Sequence, residues 1–362
     1  MGKLDSEPEI IRLAQSLGSD SDHGPVAYIL QFCRGKIEEF LLKSGPVSTL
    51  DQLQSVVCQH LRLAFEEVRT TADFDRIEGK YAHIDPVFAS IGTQLTDEVF
   101  AVLIRRNDTD SEGMTQWVAV IDCRGEKHLR RYFTRWHEAA HVLTGVTNIR
   151  AIGNDDPLEK LMDHVAGEVG FYEPLLLPTL REELVQSGRL TFDGIDRIKS
   201  ALCPTASFHS MLIACAKRSS IPSLVVEAKL AYRAEEERIR NDSQGQLFAE
   251  ELPIPKLRAV NSSRNQAATS AKLTIHKNMS IPSGSAIFKH FQATGKAESA
   301  SEKCCVDENL SIWRTSDGKV MGFGVVRVEA KRISETTVLA LIQKGIFSKP
   351  KPTRTRSDSG SR

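Results

Sequence analysis

Residues 117–141 read WVAVIDCRGEKHLRRYFTRWHEAAH, and residues 158–174 read LEKLMDHVAGEVGFYEP. The first stretch opens with WVAVI, a short run of branched and aromatic residues suited to a strand. From Lys127 the period changes. Leu129, Phe133, Trp136, Ala140 and Leu143 recur at steps of three and four, which is one apolar stripe of a helix, and Gly145 is placed to end it. Ahead of the second stretch, Asp156 has the chemistry of an N-cap and Pro157 stands at the first helical position, so a helix is expected from Asp156 to about Tyr172, with Pro174 stopping it.

The same reading extends outward. Residues 25–42 and 50–61 have helical spacing, with Ser48 or Thr49 able to cap the second. Residues 63–68 and 99–104 read as strands, and the polar loop carrying Asp108, Asp110, Ser111 and Gly113 makes a hairpin with the strand at 117–121. Further helices are expected at 193–200, 207–217 and 224–240. Residues 241–270 are rich in Ser, Asn, Gln and Pro and read as an irregular linker. After it, residues 272–275, 311–313, 320–328 and 338–342 read as strands, and the Pro-broken polar tail at 348–362 as disordered.

Composition bounds the function. At 362 residues the chain is long enough for two or three domains. Lys+Arg 47 against Asp+Glu 47 leaves no net charge, so no global basic field argues for nucleic acid. No apolar run approaches the ~18 residues of a membrane-spanning helix, and residues 1–9 lack the form of a secretion signal, so a cytoplasmic protein without membrane contact is expected. The seven cysteines are odd in number and without a C-x-x-C pair, and are expected to stay reduced; the adjacent Cys304 and Cys305 are taken as exposed thiols without function.

The chemistry lies in His137-Glu138-Ala139-Ala140-His141, an H-E-x-x-H motif inside the well-marked helix. Four residues is little more than one turn, so both imidazoles point the same way and can share one Zn2+, with Glu138 beside them as a general base. Catalytic zinc takes three protein ligands, and the next helix offers Glu159 as the third. Asp163, four residues on, falls on the same face and can accept from the outer nitrogen of His137. The alternative for Glu159 is a capping box, in which it turns back to the cap at Asp156. His164 lies off this face and Glu168 opposite it. A tetrahedral oxyanion needs a further donor, for which Tyr172 and His209 are candidates.

These residues resemble the ImmA/IrrE family of metallopeptidases, whose pattern is a strand feeding an R-x-x-F-T-x-x-H-E-x-x-H helix and a later helix of the form E-x-x-x-(N/D)-x-x-A followed by Pro. The matching positions are Arg130 or Arg131, Phe133, Thr134, His137, Glu138, His141, Glu159, Asp163 and Ala166, and the resemblance covers about residues 50–180. It implies an α+β fold: a zincin-like N-terminal domain with a short antiparallel sheet and active-site helices, a helical middle segment and a smaller α/β C-terminal domain. The corresponding division is N-terminal helices at 1–48, the metallopeptidase domain at 49–185, a helical segment at 186–245, a linker at 246–270 and a strand-rich, sensory C-terminal domain at 271–347. The implied activity is a zinc endopeptidase, one zinc per chain, that cleaves a helix-turn-helix repressor in stress response or mobile-element control.

Two rival readings belong to other classes. Residues 207–240 have the outline of a helix-turn-helix, but Val225, Val226, Glu227 and Ala228 do not suit a groove-reading helix, so a packed helical hairpin is favoured over DNA binding. The other is a regulatory protein whose metal is structural, with the C-terminal domain binding a signal.

Overall fold

The structure, a computed structural model, describes residues 4–20, 24–109, 115–146, 156–243, 253–293, 303–314, 320 and 324–345. Asp110, Ser111 and Gly113 of the expected hairpin loop, and the tail at 348–362, lie outside the described residues. The chain is mixed α+β and divides into two compact units, Met1–Pro178 with Arg197–Met211, and Thr179–Asp196 with Leu212–Arg362.

The first unit opens with α1 (Pro8–Ser16), α2 (Pro25–Ser44) and α3 (Leu50–Leu61), the last capped by Thr49, whose hydroxyl accepts from the amide of Gln52. Strand β1 (Leu63–Val68) leads through α4 (Ala72–Tyr81) and the short α5 (Ile91–Gln94) to β2 (Ala101–Thr109) and β3 (Thr115–Asp122). The sheet order is β1-β3-β2. Strand β2 pairs antiparallel with β3, as a hairpin must, whereas β1 pairs parallel with β3. The sheet is therefore mixed, which corrects the expected antiparallel one. The intervening α4, α5 and β2 supply the long crossover that parallel pairing needs. Central β3 buries Val118, Ala119, Val120 and Ile121 in succession, so both of its faces are covered. One face packs with Val68, Ile77, Phe88 and Ile91.

Helix α6 (Arg131–Thr144) packs on β3 and against α7 (Pro157–Gly170). The helix expected from Lys127 begins later, because Gly125–Arg130 is a 3-10 turn and Leu129 of the expected stripe is exposed. Gly145 ends α6 as expected, at φ 72. Helix α7 is capped by Asp156, which accepts from the amide of Leu158. It stops at Gly170, short of Tyr172. Pro174 does not terminate it but enters the first turn of α8 (Glu173–Ser187), where a missing N–H costs nothing. Helices α9 (Phe192–Leu202) and α10 (Phe208–Arg218) follow.

The second unit is built on a five-stranded antiparallel sheet of β4 (Ser223–Ala231), β5 (Lys256–Arg264), β6 (Lys303–Asn309), β7 (Val325–Ser334) and β8 (Thr337–Lys344), in the order β5-β4-β8-β7-β6. Among the described residues, the helices that follow β4 are α11 (Ala234–Ser243), α12 (Gln266–Ser270) and α13 (Ala286–Ala293). The helix expected at 224–240 is thus β4 followed by α11. Leu224, Val225, Val226 and Ala228 are buried on both faces between two hydrogen-bonded neighbours, which suits branched residues, and the helix starts only at Ala234. This removes the second helix of the helix-turn-helix outline and the all-helical segment at 186–245. The linker expected at 246–270 contains β5 and α12. Residues 272–275 are not a strand: Lys272 sits at φ 54, and Leu273 and Ile275 turn into the core. Leu310–Ile312 is a 3-10 turn capped by Asn309. Among the described residues no helix is long and apolar enough to cross a membrane.

Candidate metal centre

Helix α6 places His137 and His141 on one face, and α7 brings Glu159 to them. His137 Nε2 lies 3.0 Å from Glu159 Oε2 and 3.1 Å from His141 Nε2, and His141 Nε2 lies 3.6 Å from Glu159 Oε1. The three ligand atoms all fall within 4.8 Å of one another, the one such grouping of His, Cys, Asp and Glu among the described residues. Glu159 therefore faces the histidines rather than turning back to its cap, and Asp156 caps α7 alone.

The outer nitrogens fix the tautomers. His137 Nδ1 is 2.9 Å from Asp163 Oδ1, one α7 turn beyond Glu159, as the four-residue spacing predicts. His141 Nδ1 is 2.8 Å from the carbonyl oxygen of Val146. That acceptor depends on how α6 ends. The left-handed Gly145 lets the Val146 amide return to the His141 carbonyl, closing a Schellman motif that carries the Val146 carbonyl to the imidazole. Each Nδ1 must donate, since a carboxylate and a carbonyl can only accept. In the neutral rings both Nε2 lone pairs then converge with the Glu159 carboxylate. Three acceptors at this spacing require a proton or a cation between them. Two neutral imidazoles and a carboxylate form a three-ligand set close enough to hold a divalent ion that prefers nitrogen and oxygen.

Without an ion, the electrostatics of the cluster favour one positive charge at its centre. Burial disfavours charge on His137, but Asp163 and Glu159 outweigh it and lift its pKa to about 10. Burial and the charge on His137 push His141 down to about 4. The hydrogen bond from His137 holds Glu159 below the usual carboxylate range. Glu138, 6 % exposed, has its pKa raised to about 7 by burial and, less, by Glu159, with His137 opposing. A carboxyl poised there can take and return a proton near neutral pH.

The helices meet closely behind the cluster. Fully buried Trp136 of α6 lies against Gly170 of α7, where a Cβ would come within 2.8 Å of the indole, and the Tyr132 hydroxyl donates to the Gly170 carbonyl. Glu168 is on the far side of α7, paired with Arg34 of α2 at 3.2 Å.

The other sequence candidates are not gathered in. Tyr172 is buried just before α8, and its charged neighbours are Glu38 and Arg34 of α2. His209 is half-buried on α10 and does not belong to the ligand grouping. Two supporting features escaped the sequence reading. One is the Val146 carbonyl, for which Gly145 was the available signal. The other is Asp122, 1 % exposed, which accepts from Arg124 and Lys127 and anchors the turn that launches α6. No protein-family model matches the chain, and no curated protein matches it.

Proposed function

We propose that the chain is a zinc-dependent endopeptidase of the ImmA/IrrE type, with His137, His141 and Glu159 as metal ligands and Glu138 as general base. The observation that carries this reading is the convergence of both Nε2 atoms and the Glu159 carboxylate beside a buried Glu138 whose pKa is lifted to about 7. When bound, zinc supplies a Lewis acid that makes water nucleophilic at neutral pH and polarises a peptide carbonyl. The chain's own residues do the rest. Asp163 and the Val146 carbonyl hold the two imidazoles in the ligating tautomer. Glu138 takes the proton of the attacking water and returns it to the leaving amine. The substrate, by the resemblance, is a protein partner of the helix-turn-helix repressor class, in stress response or mobile-element control.

The test joins metal content to cleavage. Elemental analysis of the purified chain should find one zinc, lost or greatly weakened in His141→Ala and Glu159→Ala. Glu138→Gln should keep the zinc and abolish cleavage of a repressor substrate. Equal cleavage by Glu138→Gln would remove the assigned base. Bound zinc with loss of folding on chelation, and no cleavage of any partner, would turn the reading to a metal-stabilised regulatory protein.

A further inference from the structure

A second cleft lies on the first unit, built by β1, α4 and another face of α6. Phe65 and Glu67 share one face of β1 by alternation, and Arg69 follows the strand. With Asp73 and Arg76 of α4 and Arg131 and Arg135, one turn apart on α6, they line an open cavity of about 480 Å³.

The charges in this cleft do not balance. Glu67 alone faces three guanidinium groups: Arg135 Nη2 at 2.6 Å, Arg69 Nη2 at 2.8 Å, and Arg131 Nη1 at 3.5 Å. The last distance is an ion pair rather than a tight hydrogen bond, so Arg131 keeps donor capacity. Asp73 is committed to the backbone amides of Arg69 and Thr70, each at 2.9 Å, and to Arg76 at 3.3 Å. Four arginines against two carboxylates leave a surplus of two positive charges. Glu66 and Lys80 add one charge of each sign and do not change it, because Glu66 accepts from both Arg76 and Lys80. Beside the charges lies an aromatic surface: the Arg135 guanidinium stands 5.2 Å from the Phe65 ring centroid.

We propose that this cleft binds the doubly charged phosphate group of a small molecule. A phosphate dianion matches the surplus in magnitude, and several guanidinium forks converging from different elements match its tetrahedral set of acceptors better than a planar carboxylate would. Arg131 and Arg135 belong to the helix that carries the histidine pair, so the bound anion ties that helix to β1 and α4. The site stands independently of the metal reading.

Calorimetric titration of the full chain with inorganic phosphate, at ionic strength held constant with potassium chloride, tests the proposal. The expected result is saturable binding in the millimolar range or tighter, weakened about tenfold in Arg69→Gln and in Arg131→Gln. Glu67→Gln, which removes the internal competitor, should tighten it. Phenyl phosphate distinguishes the sources: tighter binding than inorganic phosphate assigns the cleft to an aromatic phosphate monoester packed on Phe65, and equal binding assigns it to free phosphate. Absence of saturable binding of either anion, or unchanged affinity in arginine variants that keep the wild-type melting temperature, would overturn it. Should the arginine variants fail to fold, unchanged or weaker phosphate binding by folded Glu67→Gln would do so as well.

Discussion

Asp163 touches His137 at 2.9 Å although its own side chain is 54 % exposed, so its effect on the cluster is separable from the packing of α7. Replacing it with Asn keeps an acceptor but removes the charge that, in the proposed metal site, would make the imidazole a stronger ligand. Asp163→Asn is expected to weaken zinc about 10- to 100-fold in a chelator competition. Unaltered affinity would show that His137 needs no anionic support. Asp122 acts through stability instead. Burial alone would raise its pKa, but Arg124 and Lys127 hold it down at about 2, below its ordinary value. The unfolded state therefore takes up the proton first. The stabilisation is complete above pH ~4 and is lost as pH falls towards 2, an effect on the order of 2 kcal/mol. Asp122→Asn should flatten the acid limb of a urea-stability profile over that window; a parallel, merely shifted limb would count against the linkage. The two residues differ in legibility. Asp163 was readable because four-residue spacing on a helix is fixed by covalent geometry. The clamp on Asp122 also joins Arg124 to the Leu95 carbonyl and Lys127 to those of Thr96 and Val99, contacts that local spacing does not encode.

At the scale of elements, α6 and α7 can hold a shared cluster because Gly170 admits the Trp136 indole where any Cβ would meet it at 2.8 Å. Trp136 is fully buried and cannot swing to solvent. Gly170→Ala should force the helices apart, lowering stability by about 1–3 kcal/mol in chemical denaturation and loosening the His137–Glu159 approach that metal binding requires. Wild-type stability with wild-type zinc affinity would mean that the helices meet without this contact. Each helix was legible at one end, α6 at its Gly145 exit and α7 at its Asp156-Pro157 entry, while α6 starts later and α7 stops earlier than the apolar spacing predicts. Strands β4 and β5 were not legible. In β4 the run from Leu224 to Val226 is buried on both faces and lacks the alternation that marks a half-exposed strand, while the following Glu- and Arg-rich residues have helical composition. In β5 only Leu257, Arg258 and Ala259 are buried, and the outer half, Asn261 to Arg264, has the polar composition of a loop. Its strand state comes from pairing with β4, a partner some thirty positions earlier in the chain, and composition carries no record of that.

At the scale of the molecule, the proposed ligands belong to the first compact unit, while the five-stranded sheet belongs to the second. A metal that binds the folded chain and not the unfolded one adds stability as RT ln(1 + [L]/Kd), about 2.7 kcal/mol at a hundredfold excess over Kd. That free energy enters through α6 and α7, whose separation the ligands oppose. In hydrogen exchange, chelation of the zinc-loaded chain should therefore raise exchange first at the amides of α6 and α7, before those of β4 and β8. His141→Ala should show the same pattern without a chelator. Acidification should reproduce it, because both imidazoles must be neutral to ligate and protons compete for the same Nε2 lone pairs. If chelation of a chain with proven metal content left α6 and α7 as protected as before, the ion would lie elsewhere. The three-acceptor convergence would then be held by a proton shared between His137 Nε2 and the Glu159 carboxylate, 3.0 Å apart.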